Sequence, residues 1–168
     1  MSNKKRINLI VKGAMFGAVA MVVKYFIDIP IIPNVMHFRP HVFIVYASGF
    51  LYGPWVGGVV GLISDFGAIS KWGVNLFTLG AVFTGVVPGL FYLKNKKLSN
   101  FRVALGSAVS YVVVSMLMMT YIITVFNGGA GFMEMFMIRL PKSVEIIIYI
   151  LLMPVIYNFL YKLEKRIK

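Results

Sequence analysis

The chain has 168 residues, 60% hydrophobic and 13% charged, with no cysteine and a net charge of +12. A soluble domain carries about 45–50% apolar and about 25% charged residues, so the excess apolar surface must face lipid. The lack of cysteine excludes disulfides, thiolate metal sites and cysteine nucleophiles. The basic residues sit at the chain ends and in one loop, flanking apolar runs, which argues for membrane topology rather than nucleic-acid binding.

Six spans of about 20 residues with short loops use almost the whole length. The expected fold is therefore an all-α integral membrane bundle of six transmembrane helices, a single membrane domain over 1–168. After Met1-Ser-Asn-Lys-Lys-Arg6, an apolar run continues from Ile7 to about Ile29. It is too long for a signal-peptide h-region and is read as a retained first span, about 7–28. Pro30, Pro33 and Pro40 then mark a loop, because proline removes backbone donors. The second span, about 41–52, is short: its 12 residues cover about 18 Å as helix. Gly53-Pro54 punctuates the chain, with proline tolerated in the first turn of the third span, about 54–70. Lys71-Trp-Gly-Val-Asn75 is a short polar loop, and the fourth span covers about 76–93. The basic loop 94–100 precedes a fifth span, about 102–126. A glycine-rich turn, 127–131, precedes the sixth, about 134–161, and the basic tail from Lys162 to Lys168 follows. No internal repeat is evident.

Of the 17 Lys and Arg residues, 12 fall at the two termini and in or beside the 94–100 loop. The other 5 are Lys24, Arg39, Lys71, Arg139 and Lys142. The richer side is cytoplasmic by the positive-inside rule, which places both termini inside and the five remaining cations outside.

Those five cations are anomalous on the outer face, and Arg139 and Lys142 lie at or inside the start of a span, where charge marks a site, a pathway or an ion pair. Arg139, Lys142 and Glu145 share one broad helix face. They suit either an ion pair with interfacial snorkelling or an anionic ligand, whose carboxylate the guanidinium fork of Arg139 would fit. Asp65, inside the third span, pairs with Lys71 or another outward base, or accepts ring N–H groups of a ligand. Trp72, with Asn75 and Thr78 nearby, is either a member of an interfacial belt or a platform for a planar ligand. His37 and His41 flank Arg39 at a spacing that suits a metal only on a regular helix, but Pro40 lies between them and no third ligand is apparent. Small residues recur four apart at Gly13/Gly17, Ala14/Ala18, Gly53/Gly57/Gly61 and Gly85/Gly89, a spacing that lets helices approach closely in lipid. There is no P-loop and no His-Glu-x-x-His, and no Gly-x-Ser-x-Gly. The chain carries no ATPase site of its own.

Taken together, these segments resemble the substrate-binding (S) components of energy-coupling factor (ECF) vitamin transporters. Ala14-Met-Phe-Gly-Ala18 is similar to the family's Ala-x-x-x-Ala signature. The stretch from Ala47 through Leu51-Tyr-Gly-Pro-Trp-Val-Gly57 to Asp65-Phe-Gly67 resembles the folate-type branch, as do Phe77-Thr-Leu-Gly-Ala81 and Arg139-Leu-Pro-Lys142. The segment Phe38-Arg-Pro-His-Val-Phe-Ile44 keeps the branch's arginine and aromatics but moves its proline. Asn75-Leu76 stands where that branch has Pro-Gly.

The resemblance implies a vitamin held at the outer face, without cofactor or metal. It further implies delivery by docking to a transmembrane coupling protein (EcfT-like) powered by two cytoplasmic ATPases (EcfA-like) in a bacterial cell membrane. Folate is the expected substrate, with pantothenate and cobalamin as alternatives. The implied ligand residues are Arg39, His41, Asp65, Lys71, Trp72, Asn75, Thr78, Arg139 and Lys142, and the implied partner face is Ala14, Gly17 and Ala18. Three other readings compete: a self-sufficient proton-coupled carrier using Asp65 or Glu145, an intramembrane enzyme, and a scaffold without ligand. The carrier predicts uptake by the chain alone. No complete catalytic set supports the enzyme, and the scaffold leaves the outward cations without a role.

Overall fold

Backbone buried in lipid must satisfy its own polar groups, and a helix does so within one segment. The computed structural model describes residues 3–27, 29–32, 36–93, 96–126 and 131–167, with side chains described for 7–27, 39–70, 73–93, 96–125 and 131–166. Helix α1 (Asn3–Phe26) is followed by a two-stranded antiparallel ribbon, β1 (Ile29–Ile32) and β2 (Met36–Phe38), with Ile29 opposite Phe38 and Pro30 opposite His37. The sequence suggests only a proline-broken loop here. A two-stranded ribbon is all edge, however, so proline can sit where its missing N–H points away from the partner.

Helix α2 (His41–Tyr52) ends at Gly53, whose φ of 93° is a conformation that glycine adopts without strain. Helix α3 (Pro54–Ser64) starts on Pro54 and stops at Asp65, and α4 (Phe66–Trp72) follows at once. The expected span 54–70 is thus two helices, broken at the carboxylate. Asp65 sits at φ −94°, ψ 0°, the bridge region between helix and turn. Helix α5 (Leu76–Gly89) starts on a capping box in which Asn75 and Thr78 bond to each other's backbone N–H groups.

Helix α6 (Asn100–Ser110) continues through a π-helical segment (Tyr111–Met118) into α7 (Met119–Phe126). Helix α8 (Phe132–Arg139) passes through a 3₁₀ turn (Leu140–Val144) into α9 (Glu145–Ile167). Among the described residues, three helical stretches are long and apolar enough to cross a membrane: Ile7–Phe26, Asn100–Val125 and Phe132–Arg166. The shorter apolar helices α2, α3 and α5 have 12, 11 and 14 residues.

Glycines set the closest approach. A methyl at Gly57 of α3 would sit 2.8 Å from the carbonyl carbon of Gly85, and one at Gly61 would sit 2.9 Å from that of Ala81, so α3 and α5 meet backbone to backbone. Gly17 of α1 is buried against Ile63 of α3, where a methyl would come within 2.8 Å. Gly17 therefore serves the bundle interior and does not belong to the outward patch expected with Ala14 and Ala18, both of which are exposed. Tyr46, Phe50, Tyr149, Met153 and Tyr157 form the core between α2 and α9. At one end of the bundle Lys12 pairs with Glu164 at 2.8 Å, and the Tyr157 hydroxyl accepts from the Leu98 backbone N–H at 3.1 Å. At the opposite end α1 finishes, and α2, α5 and α9 begin.

Candidate ligand-binding site

A cavity of about 550 Å³ opens at that opposite end, within the roughly 300–1,000 Å³ typical of ligand pockets. Its polar residues come from helix ends. Lys24 closes α1, Arg39 and His41 open α2, Asp65 breaks α3 from α4, and Arg139, Lys142 and Glu145 lead into α9. Helix ends collect them because a polar side chain there reaches past the apolar span while its backbone stays inside it. Phe77, Ala81 and Thr84 of α5, and Tyr111, Val114 and Ser115 of the π-helical segment, contribute further wall. A smaller pocket of about 200 Å³ adjoins it, between Lys24, Ile27, Arg39 and His41.

Lys24 Nζ forms an ion pair with Asp65 Oδ1, tying α1 to the break between α3 and α4. On the other wall, the Tyr111 hydroxyl donates to the Lys142 carbonyl at 2.6 Å and lies 3.4 Å from Glu145 Oε2. The Tyr111 and Tyr46 rings each stand 5.6 Å from that of Tyr149, and Phe43 packs 4.8 Å from it. Arg139 Nη1 and Glu145 Oε1 are buried without a hydrogen-bond partner among the described residues. A buried polar atom left unpaired costs about 1–3 kcal/mol, and both residues line the cavity. Among the described residues, four of the cavity's side chains are Lys or Arg (Lys24, Arg39, Arg139, Lys142) and two are carboxylates (Asp65, Glu145), an excess of two positive charges.

Of the residues singled out from the sequence, Arg39, His41, Asp65, Arg139 and Lys142 come together on this one cavity. Asn75 and Thr78 do not line it. The Asn75 Oδ1 accepts from the Phe77 and Thr78 backbone N–H groups at 3.0 and 3.2 Å, so these two side chains start α5 instead. The side chains of Lys71 and Trp72, like that of His37, lie outside the described residues. Sequence reasoning passed over Lys24 as a cavity residue, although its place among the five outward cations was a signal. It also passed over Tyr111 and Tyr149, which nothing local distinguishes from the other tyrosines. Glu145, read as an ion-pair member or proton relay, is a cavity residue with one oxygen unclaimed among the described residues.

A curated relative, the folate transporter FolT of Clostridium novyi (strain NT), is 31% identical over 150 residues, 83% of this chain and 81% of its own. Among solved structures, a crystal structure of FolT bound with folic acid matches with a TM-score of 0.69 at 19% identity over 90% of both chains, so the two share a fold. Residues 8–157 match the model of the ECF transporter, substrate-specific component, family. With nearly its whole length matched in sequence and its helices matched in space, this membrane chain belongs to the family of ECF transporter substrate-specific components.

Proposed function

We propose that the chain captures a folate-type, anionic vitamin in this cavity at the outer face of a bacterial cell membrane and hands it to an energised partner. The observation that carries the reading is the charge balance of the cavity among the described residues, four Lys and Arg side chains against two carboxylates, with Arg139 Nη1 lacking a hydrogen-bond partner among those residues. Burying such a cation alone is costly, and an anionic ligand offsets the cost. Two relatives support folate as the ligand class: one is named a folate transporter, and the other holds folic acid in its crystal structure.

The outward direction rests on topology. Six spans with both termini cytoplasmic satisfy the 12-to-5 distribution of basic residues. The cavity then lies at the extracellular end, opposite the Lys12–Glu164 tie. The chain has no P-loop, so ATP is hydrolysed by partners, a transmembrane coupling protein and two cytoplasmic ATPases, and Ala14 and Ala18 on the exposed face of α1 meet the coupling protein.

Calorimetric titration of the detergent-solubilised protein tests the reading. Folic acid binds tightly, pantothenate and cobalamin do not, and Arg139→Gln weakens folic acid by at least about tenfold, the worth of one charged hydrogen bond. Binding of pantothenate or a corrinoid in place of folic acid would overturn the substrate class. In liposomes, the purified chain alone accumulates no folate under a pH gradient. Accumulation there would instead favour the proton-coupled carrier.

A further inference from the structure

We infer that Glu145 and Arg139 together read the donor–acceptor edge of a planar nitrogen heterocycle, Glu145 taking its N–H groups and Arg139 its oxo oxygen. The inference rests on the folate-type reading above and gives the ligand a direction in the cavity.

Glu145 is only 3% exposed. One carboxylate oxygen faces the Tyr111 hydroxyl at 3.4 Å, and the other, Oε1, has no partner among the described residues. An ionised carboxylate only accepts hydrogen bonds, so whatever completes Oε1 must donate. Arg139 Nη1 has the opposite need: it only donates, and no described residue offers it an acceptor. Both residues line one cavity and are separated in the chain by a single 3₁₀ turn (Leu140–Val144), and their two buried atoms do not satisfy each other. Opposite charges left apart in a low-dielectric wall call for one ligand that brings both complements at once.

A second carboxylate would suit Arg139 but would be repelled by Glu145. A neutral ring edge with adjacent oxo, N–H and amino groups suits both. The 2-amino-4-oxopteridine of a folate presents that edge: the oxo oxygen accepts from Arg139, and the neighbouring N–H and amino group donate to Glu145 as a two-point, charge-assisted pair. Glu145 is the first residue of the 23-residue α9, directly after the 3₁₀ turn that follows Arg139. Tyr111, which bonds the Lys142 carbonyl at 2.6 Å, positions that carboxylate. The carboxylates of the ligand then belong beside Lys24, Arg39 and His41, where the pocket of about 200 Å³ adjoins the cavity.

The test compares ligands on the unaltered protein first. Calorimetry with folic acid, its 2-desamino analogue and its 4-amino analogue should show both analogues weaker by at least about tenfold. The first loses a donor to Glu145, and the second turns the acceptor for Arg139 into a donor. In Glu145→Gln the gap between folic acid and the 2-desamino analogue shrinks, whereas Arg39→Gln weakens folic acid but not pteroate, which lacks the glutamate tail. Equal binding of folic acid and both analogues by the unaltered protein overturns the edge reading while leaving folate capture intact. Loss of tail discrimination rather than ring discrimination in Glu145→Gln overturns the direction. Failure of the unaltered protein to bind folic acid at all overturns this inference together with the proposed function.

Discussion

Lys24 and Asp65 show how one polar pair is held in an apolar bundle. The Asp65 side chain is 8% exposed and that of Lys24 31%, so the pair is buried at one end and wetted at the other. Removing one partner of a fully buried pair costs about 3–5 kcal/mol, and exposed pairs are worth about 0–1 kcal/mol. Asp65→Asn should therefore lie between, at about 1–3 kcal/mol, read as a lowered melting temperature in detergent. Lys24→Met combined with Asp65→Leu should destabilise by less than the sum of the single changes, because no charge is left uncompensated. Tyr111→Phe removes a hydroxyl that bonds the Lys142 carbonyl and faces Glu145. The expected cost is about 0.5–1.5 kcal/mol, with a severalfold loss of folic acid affinity by titration if Tyr111 positions Glu145 as inferred.

Between elements, the α3–α5 contact is the least forgiving. Gly57 and Gly85 face each other's backbone with no room for a methyl group. Gly57→Ala or Gly85→Ala must push the helices apart, at a cost of about 1–3 kcal/mol or more, and the measurement is the yield of monodisperse protein on gel filtration. Gly73 is the useful contrast. Its φ of 71° and ψ of 178° are essentially a glycine conformation, and a methyl group there would meet no described atom within 4 Å, so Gly73→Ala should cost only the backbone strain of about 1–3 kcal/mol. The π-helical segment is a different kind of feature. It is bracketed by hydroxyls that turn back onto their own helix, Ser107 to the Val103 carbonyl at 2.8 Å, Ser110 to Gly106 at 2.6 Å, and Thr120 to Met116. Such back-bonding satisfies side chains inside lipid without a partner helix. It leaves Tyr111, Val114 and Ser115 to line the cavity.

At the scale of the whole molecule, α1 carries two faces with different duties. Gly13, Gly17 and Ala20 turn inward onto the bundle, while Ala14 and Ala18 stay exposed. Substituting leucine at both Ala14 and Ala18 should leave the melting temperature and folic acid titration nearly unchanged, since exposed positions away from packing tolerate change within about 0.5 kcal/mol. Under the proposed docking, the same variant should lose ATP-driven uptake in vesicles containing all partner subunits. Retention of both binding and uptake would remove α1 as the docking face.

The membrane class and all-helical architecture were legible in the sequence because they depend on local quantities: the length of apolar runs, the places of proline and glycine, and the bias of Lys and Arg between ends. Arg39, His41, Asp65, Arg139 and Lys142 were legible as candidates for a related reason, being polar or charged side chains in or beside apolar runs, where each needs a partner. The rest depended on what packs against what. Asn75 and Thr78 looked like mouth residues, yet they cap α5, because a helix N-terminus needs those acceptors wherever it falls. Gly17 resembled its neighbours Ala14 and Ala18, but rotation of α1 turned it inward. Only the tertiary structure decided that Lys24 is an outward base that meets Asp65, that the third apolar run breaks at that carboxylate, and that Arg139 and Glu145 share a wall without satisfying each other. Composition sets which groups need partners; the three-dimensional packing of distant helix ends decides which partners they reach and which atoms remain for a ligand.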